Sequence, residues 1–165
     1  MAKKKSSKSK AETKTSFMFP LLHQHVVNAV AHSMASLPRF HETDSDTGVR
    51  YQCNTHVMGR FRCRSTCGAN GWASKKVAIL IRRYAGNEYN AVVFNQRCKV
   101  CDRLGTLTLD ENSYVDRVAY WVQKWAGVQV ERPPHSSKRT KPHESALCEG
   151  CKRGLCGQRG DWSEY

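Results

Sequence analysis

Three cysteine pairs stand out by their spacing: Cys63 and Cys67 enclose "RST", Cys98 and Cys101 enclose "KV", and Cys148 and Cys151 enclose "EG". Zinc prefers four ligands in a tetrahedron, and two ligands about two to four residues apart can be offered by one turn. Each pair therefore reads as half of a site. Gly68 follows the first pair, where a residue free to take positive φ lets backbone N–H groups turn toward the thiolates. The first two pairs flank two β-branched runs. A hairpin made from those runs brings Cys63, Cys67, Cys98 and Cys101 together as a ribbon-like four-thiolate site.

The third pair needs two more ligands, and "HESALCEGCKRGLC" holds two nearby. The spacing His143-x4-Cys148-x2-Cys151-x4-Cys156 closes around one ion from a single loop. Cys53 and His56 compete for the same two places. A Cys53 left over packs as a small hydrophobe, as lone thiols often do. Both sets are closed, whereas a catalytic zinc keeps a position for water. The zinc-deaminase pattern is absent, since "HES" has the wrong order and spacing for it. No paired carboxylates or nucleophile–base arrangement is singled out, so the expectation is two structural Zn2+ ions, no enzyme activity and no small-molecule substrate.

Elements of both types must position these ligands. "FPLLHQHVVNAVAHSMASL" reads as a helix with Ser16 as a cap, Pro20 in the first turn and Pro38 as the stop. Leu22, Val26, Val27, Val30 and Met34 recur on one face of it. His23, His25 and His32 have no cysteine at ligand spacing and read as ordinary helix-surface residues. "HETDSDTG" is a polar connector, and "VRYQCNTHVMGRFRC" is extended. "KKVAILIRRY" and "YNAVVFNQRC" form a hairpin through "AGNE", where Gly86-Asn87 supplies the turn. "GTLTL" is a further short strand. "NSYVDRVAYWVQKWAG" is the clearest helix: Ser113 and Asp116 have capping-box-like spacing, Val118, Trp121, Val122 and Trp125 form an apolar stripe, and Gly127 ends it. That stripe reads as core rather than as a stacking platform for nucleic acid, because a small domain needs its large side chains inside. "ERPPHSSKRTKP" is a linker.

Eight cysteines in 165 residues call for disulfides in a secreted chain or metal in an intracellular one. The start is long and polar, and the apolar stretch after it is broken by Pro20, His23 and His25, unlike a secretory signal. The longest aliphatic run, "VAILI", is far short of the roughly 20 residues a membrane span needs. The expected location is therefore intracellular, cytoplasmic or nuclear. The net charge of +13 is concentrated. Residues 1–15 carry six lysines and one glutamate, and residues 60–103 carry ten basic and two acidic side chains. A four-thiolate zinc site has a charge of −2 and occupies two or three of those cations. The surplus suits a polyanion such as RNA or an acidic membrane surface. Lys75, Lys76, Arg82 and Arg83 lie away from the cysteines in sequence and are the candidate nucleic-acid contacts. By strand alternation they divide between two faces.

"FRCRSTCGANGWASKKVAI", "NAVVFNQRCKVC" and "LCEGCKRGLC" together resemble the 3CxxC-type zinc-finger family, with Trp72, Ser74 and Gln96 at positions of its pattern. The family includes vertebrate receptor-transporting and zygote-arrest proteins and short versions in fungi and other eukaryotes. The resemblance covers roughly residues 51–156 and implies zinc binding through Cys63/Cys67, Cys98/Cys101 and Cys148/Cys151. It also implies one of two roles. Receptor-transporting members help membrane receptors reach the cell surface and carry a C-terminal membrane segment, while zygote-arrest members bind RNA through the finger. The resulting expectation is an α+β protein: a zinc-ribbon-like antiparallel β-hairpin core, two flanking helices and two structural zinc sites. It has a disordered basic tail at 1–15, an N-terminal helix packing on the domain at 16–40, the zinc-binding domain at 51–156 and a C-terminal tail at 157–165. The expected function is binding of RNA or a protein partner, with a chaperone-like adaptor for membrane-protein clients as the alternative.

Overall fold

The computed structural model describes residues 14–63, 67–132 and 143–156. Nearly all of the expected basic tail, most of the linker and the C-terminal tail lie outside these residues. The strands are β1 (Ser16–Phe17), β2 (Arg39–Phe40), β3 (Val49–Arg62), β4 (Trp72–Tyr84), β5 (Glu88–Phe94) and β6 (Thr106–Leu109); the α-helices are α1 (His23–Val30), α2 (Glu111–Trp125) and the one-turn α3 (Glu149–Lys152). The sheet order is β1-β5-β4-β3-β6, with β2 pairing parallel to β5 and every other pair antiparallel.

The expected β4–β5 hairpin is present. Its turn uses left-handed backbone at Gly86 (φ 74°) and Asn87 (φ 59°), residue types that tolerate that region. It is one part of a larger sheet. The longest pairing is β3 with β4, from Val49–Tyr84 to Phe61–Trp72, and it places the first cysteine pair in the connection at the far end. A bulge interrupts this ladder. The register passes from Val57–Val77 to Gly59–Ser74, which leaves Lys75 and Lys76 together opposite Met58.

Both faces of the sheet are buried, which is why β4 reads as a continuous apolar run. Val77, Ile79 and Ile81 pack with Val57, Phe61, Ala91 and Val93 under α1 and α2. Ala78 and Leu80 face the other way with Val92 and Phe94, and there they meet Cys148, Cys151, Leu155 and Cys156. The second ligand loop thus supplies a layer of the fold.

Several expectations need correction. Ser16 does not cap a helix; it pairs with Phe94 in the sheet. The N-terminal helix starts as a 3-10 turn at Pro20–Leu22 and ends near Val30, well before Pro38. Its buried stripe of Leu22, Val26, Val30 and Met34 is as expected, with Val27 half-buried. The cap of α2 is Asp110, whose carboxylate accepts the Ser113 N–H at 3.0 Å. Ser113 instead uses its hydroxyl to accept the Met58 N–H at 3.0 Å, tying the helix start to β3. Gly127 (φ 84°) follows the helix end. Trp121 and Trp125 are half-buried against the core, while Tyr114, Val118, Ala119 and Val122 sit within it.

Candidate metal centres

The two knuckles of the first centre come from two connections at the same end of the sheet. Cys63 lies just beyond β3, Cys67 before β4, and Cys98 and Cys101 in the β5–β6 connection. Their Sγ atoms are 3.5 Å apart for Cys63–Cys67, 3.4 Å for Cys63–Cys101 and 3.9 Å for Cys67–Cys98. A zinc tetrahedron with Zn–S of about 2.3 Å has sulfur–sulfur edges of about 3.8 Å. The thiols thus form a cage of zinc size, and the residues present fit the metal. The second knuckle is shaped by the N–H of Asp102 donating to the Cys98 carbonyl (2.8 Å) and the N–H of Cys98 donating to the Arg103 carbonyl (2.9 Å).

The second centre gathers His143, Cys148, Cys151 and Cys156, whose ligand atoms all lie within 4.8 Å of one another. His143 Nε2 is 3.2 Å from Cys151 Sγ and 3.5 Å from Cys156 Sγ. Cys148 stands at the N-cap of α3 and its sulfur accepts the Cys151 N–H at 3.4 Å. The Cys148 thiol is lowered to about 5, first by its hydrogen bond with Cys156 and further by the Cys151 N–H. Cys156 moves up, because it keeps the proton it shares with Cys148 and is partly buried. One thiolate is therefore already favoured within the cage, as metal binding requires.

Of the two competitors, His56 comes close and Cys53 does not join either group. His56 Nε2 lies 3.0 Å from Cys156 Sγ. Burial, together with the positive neighbours His143, Lys76 and Arg117, lowers His56 to about 4 and keeps its ring neutral. Cys53 is buried, and burial pushes its thiol up to about 12 despite the nearby cations Arg117, Lys124 and Arg132. The helix histidines have other partners or none at a centre. His23 Nδ1 is 2.8 Å from the Tyr89 hydroxyl, and His25 and His32 are exposed.

The two centres share one segment, Asn95–Cys98. Gln96 bridges Cys148 in an isolated antiparallel pair. The N–H of Arg97 donates to the Leu147 carbonyl at 2.7 Å, and the N–H of Glu149 donates to the Asn95 carbonyl at 3.1 Å. The Arg97 guanidinium completes the link, donating to Glu149 Oε1 at 2.6 Å and to the Asp102 carbonyl at 2.8 Å. Trp72, Ser74 and Gln96 are hydrogen-bonded to one another: Trp72 Nε1 donates to Gln96 Oε1 (3.0 Å), and Gln96 Nε2 donates to Ser74 Oγ (3.1 Å).

The four candidate nucleic-acid contacts separate into two kinds. Arg82 is only 5% exposed and pairs with Asp44 (2.5 Å) and Asp46 (2.7 Å) of the connector. Arg83 donates to the Trp125 carbonyl and lies over the Tyr51 ring at 6.0 Å. Both have structural partners; Arg82 is buried rather than exposed, and Arg83 is half-buried. Lys75 and Lys76 emerge from the bulge, and both line a cleft between the centres, contrary to simple alternation. Lys99, between the two cysteines of the second knuckle, lines it as well.

No helix among the described residues is long and apolar enough to cross a membrane. Comparison with known proteins agrees with the ligand geometry. A family model described as a zinc-binding domain, the 3CxxC zinc ribbon, matches residues 56–154. Human receptor-transporting protein 4 is 27% identical over 123 residues, covering 65% of this chain and 49% of that protein. The chain thus spans about half the length of this curated relative. No solved structure matches. The matched region holds the whole first cage and all of the second but Cys156, and the chain belongs to the 3CxxC-type zinc-binding domain family.

Proposed function

We propose that this chain is an RNA-binding module in which two zinc ions, one held by Cys63, Cys67, Cys98 and Cys101 and one by His143, Cys148, Cys151 and Cys156, are structural rather than catalytic. Each proposed set contains four donors; the first joins two connections of the sheet and the second closes one loop onto it. The observation that carries the RNA reading is the charge around the first cage. Arg60, Arg62, Lys76, Lys99 and Arg103 are all exposed on the strands and knuckles of that half. A cluster of this kind lowers the free energy of a phosphate chain by releasing its counterions, so affinity must fall steeply with salt. The test is a fluorescence-anisotropy titration of single-stranded RNA at several salt concentrations. A steep log–log slope supports the reading, and absence of binding at low salt removes it.

A second reading rests on the name of the human relative, which describes transport of receptors. On that reading the domain is an adaptor for protein clients. Apolar client contacts would survive rising salt, whereas RNA contacts would not.

A further inference from the structure

A cleft of about 490 Å³ lies between the two metal centres. Cys98 and Lys99 line it from the first centre, His143 and Leu147 from the second, and Trp72 and Lys76 belong to its lining as well. We infer that this cleft seats an unpaired nucleotide of single-stranded RNA, an inference that rests on the RNA-binding function proposed above.

The size suits one nucleotide, since pockets for small ligands run from roughly 300 to 1,000 Å³. Its apolar element is held rigidly. The Trp72 indole stacks on Phe61 with centroids 5.2 Å apart and planes 9° from parallel, and its N–H is held by Gln96. Phe61 takes one face of that indole, and Trp72 lines the cleft with Leu147 and Val100, side chains of the kind a base packs against. The charges are arranged for a phosphate. The bulge presents Lys75 and Lys76 to the same cleft although they are adjacent in the strand, and exposed Lys99 reaches it from the second knuckle. Arg97 also lines the cleft, but its guanidinium is held by Glu149. Exposed Glu144 is the acid at this site among the described residues. A base in a duplex is stacked and paired, so it cannot enter; a splayed base of a single strand can.

The test compares one fluorescein-labelled RNA as a single strand and as a blunt duplex, on the zinc-loaded full chain and on Lys76→Glu and Lys76→Glu/Lys99→Glu. Zinc content is measured for each protein, and the single Lys76 variant keeps the test valid if the Lys99 substitution disturbs its knuckle. The expected result is single-strand affinity about tenfold above duplex. The double variant loses about tenfold or more on the single strand, and its salt slope falls by about 1.4, from about 0.7 per phosphate contact. If single strand and duplex bind alike, or if zinc-replete variants bind the single strand as wild type does, the cleft inference is overturned while RNA binding stands. If wild type binds neither RNA at low salt, the RNA reading itself fails. A 4-thiouridine cross-link to the Ala69–Lys76 or Arg97–Val100 segments is expected, and cross-links confined to other segments also count against the cleft.

Discussion

Trp72 and Gln96 meet side chain to side chain at 3.0 Å, and this bond joins the strand that leaves the first cysteine pair to the segment that enters the second. Gln96 is buried, and its backbone also bridges Cys148 of the other centre. Gln96→Leu keeps the side-chain volume but leaves the indole N–H and the Ser74 hydroxyl without this partner. An unmet buried polar group costs about 1–3 kcal/mol. The zinc-loaded variant is expected to unfold at correspondingly lower denaturant, with two zinc ions still bound at rest. A denaturation midpoint equal to wild type would show that this bond contributes nothing to holding the centres together.

Arg82 separates structure from binding. Removal of its guanidinium breaks two ion pairs, but Asp46 is exposed, so solvent screens that half of the interaction. Hydrogen bonds to charged groups contribute about 1.5–3 kcal/mol each at best, and Arg82→Ala is expected to lower stability by about 2 kcal/mol. Zinc content and the salt slope of RNA binding stay at wild-type values. A fall in that slope in the folded variant would return Arg82 to the docking surface.

Three single variants distinguish the donors of the second centre. Cys156→Ser is expected to lose one zinc, and Cys53→Ser to keep both. His56→Ala keeps both ions at saturating zinc but binds the second about 10–100-fold more weakly, the usual loss when a group that orients a ligand is removed. Competition with a chromophoric chelator reads all three. If His56→Ala loses an ion outright while Cys156→Ser retains it, His56 rather than Cys156 is the fourth ligand.

Gly150 permits α3 to lie on the sheet. A Cβ built there would stand 2.4 Å from the Ala78 Cβ and 3.5 Å from the Phe94 Cβ. Gly150→Ala must therefore lift the loop from β4, at an overpacking cost of about 1–3 kcal/mol. Weaker binding at the second centre with the first unchanged is the expected outcome. Ala78→Gly in the same chain restores part of the loss, since residues in contact couple. Equal zinc affinities in the single variant and wild type would mean that the loop does not depend on this contact.

Local signals were legible in the sequence wherever neighbouring residues decide the outcome. The cysteine spacings, the Gly86-Asn87 turn and the α2 periodicity are of this kind. What covers the second face of the sheet was not legible, because Ala78 and Leu80 meet a loop some seventy positions away. Arg82 looked like a solvated charge because its partners, Asp44 and Asp46, sit in a connector with no pattern of its own. Ser16 and Ser113 both have the composition of helix caps. Ser16 is taken by β5 and Ser113 by the Met58 N–H, and both outcomes depend on tertiary pairing. Lys75 and Lys76 share the cleft because of a bulge, which a period of two cannot show.

The central claim is that two separate cages each hold a structural zinc ion, and metal analysis of the full chain purified under reducing conditions tests it most directly. Two zinc ions per chain are expected. Because the energy of a structural site is largely folding energy, removing both with a strong chelator is expected to abolish the folded circular-dichroism signal. One ion or none per chain, or a chain that stays folded after complete zinc removal, would contradict the account.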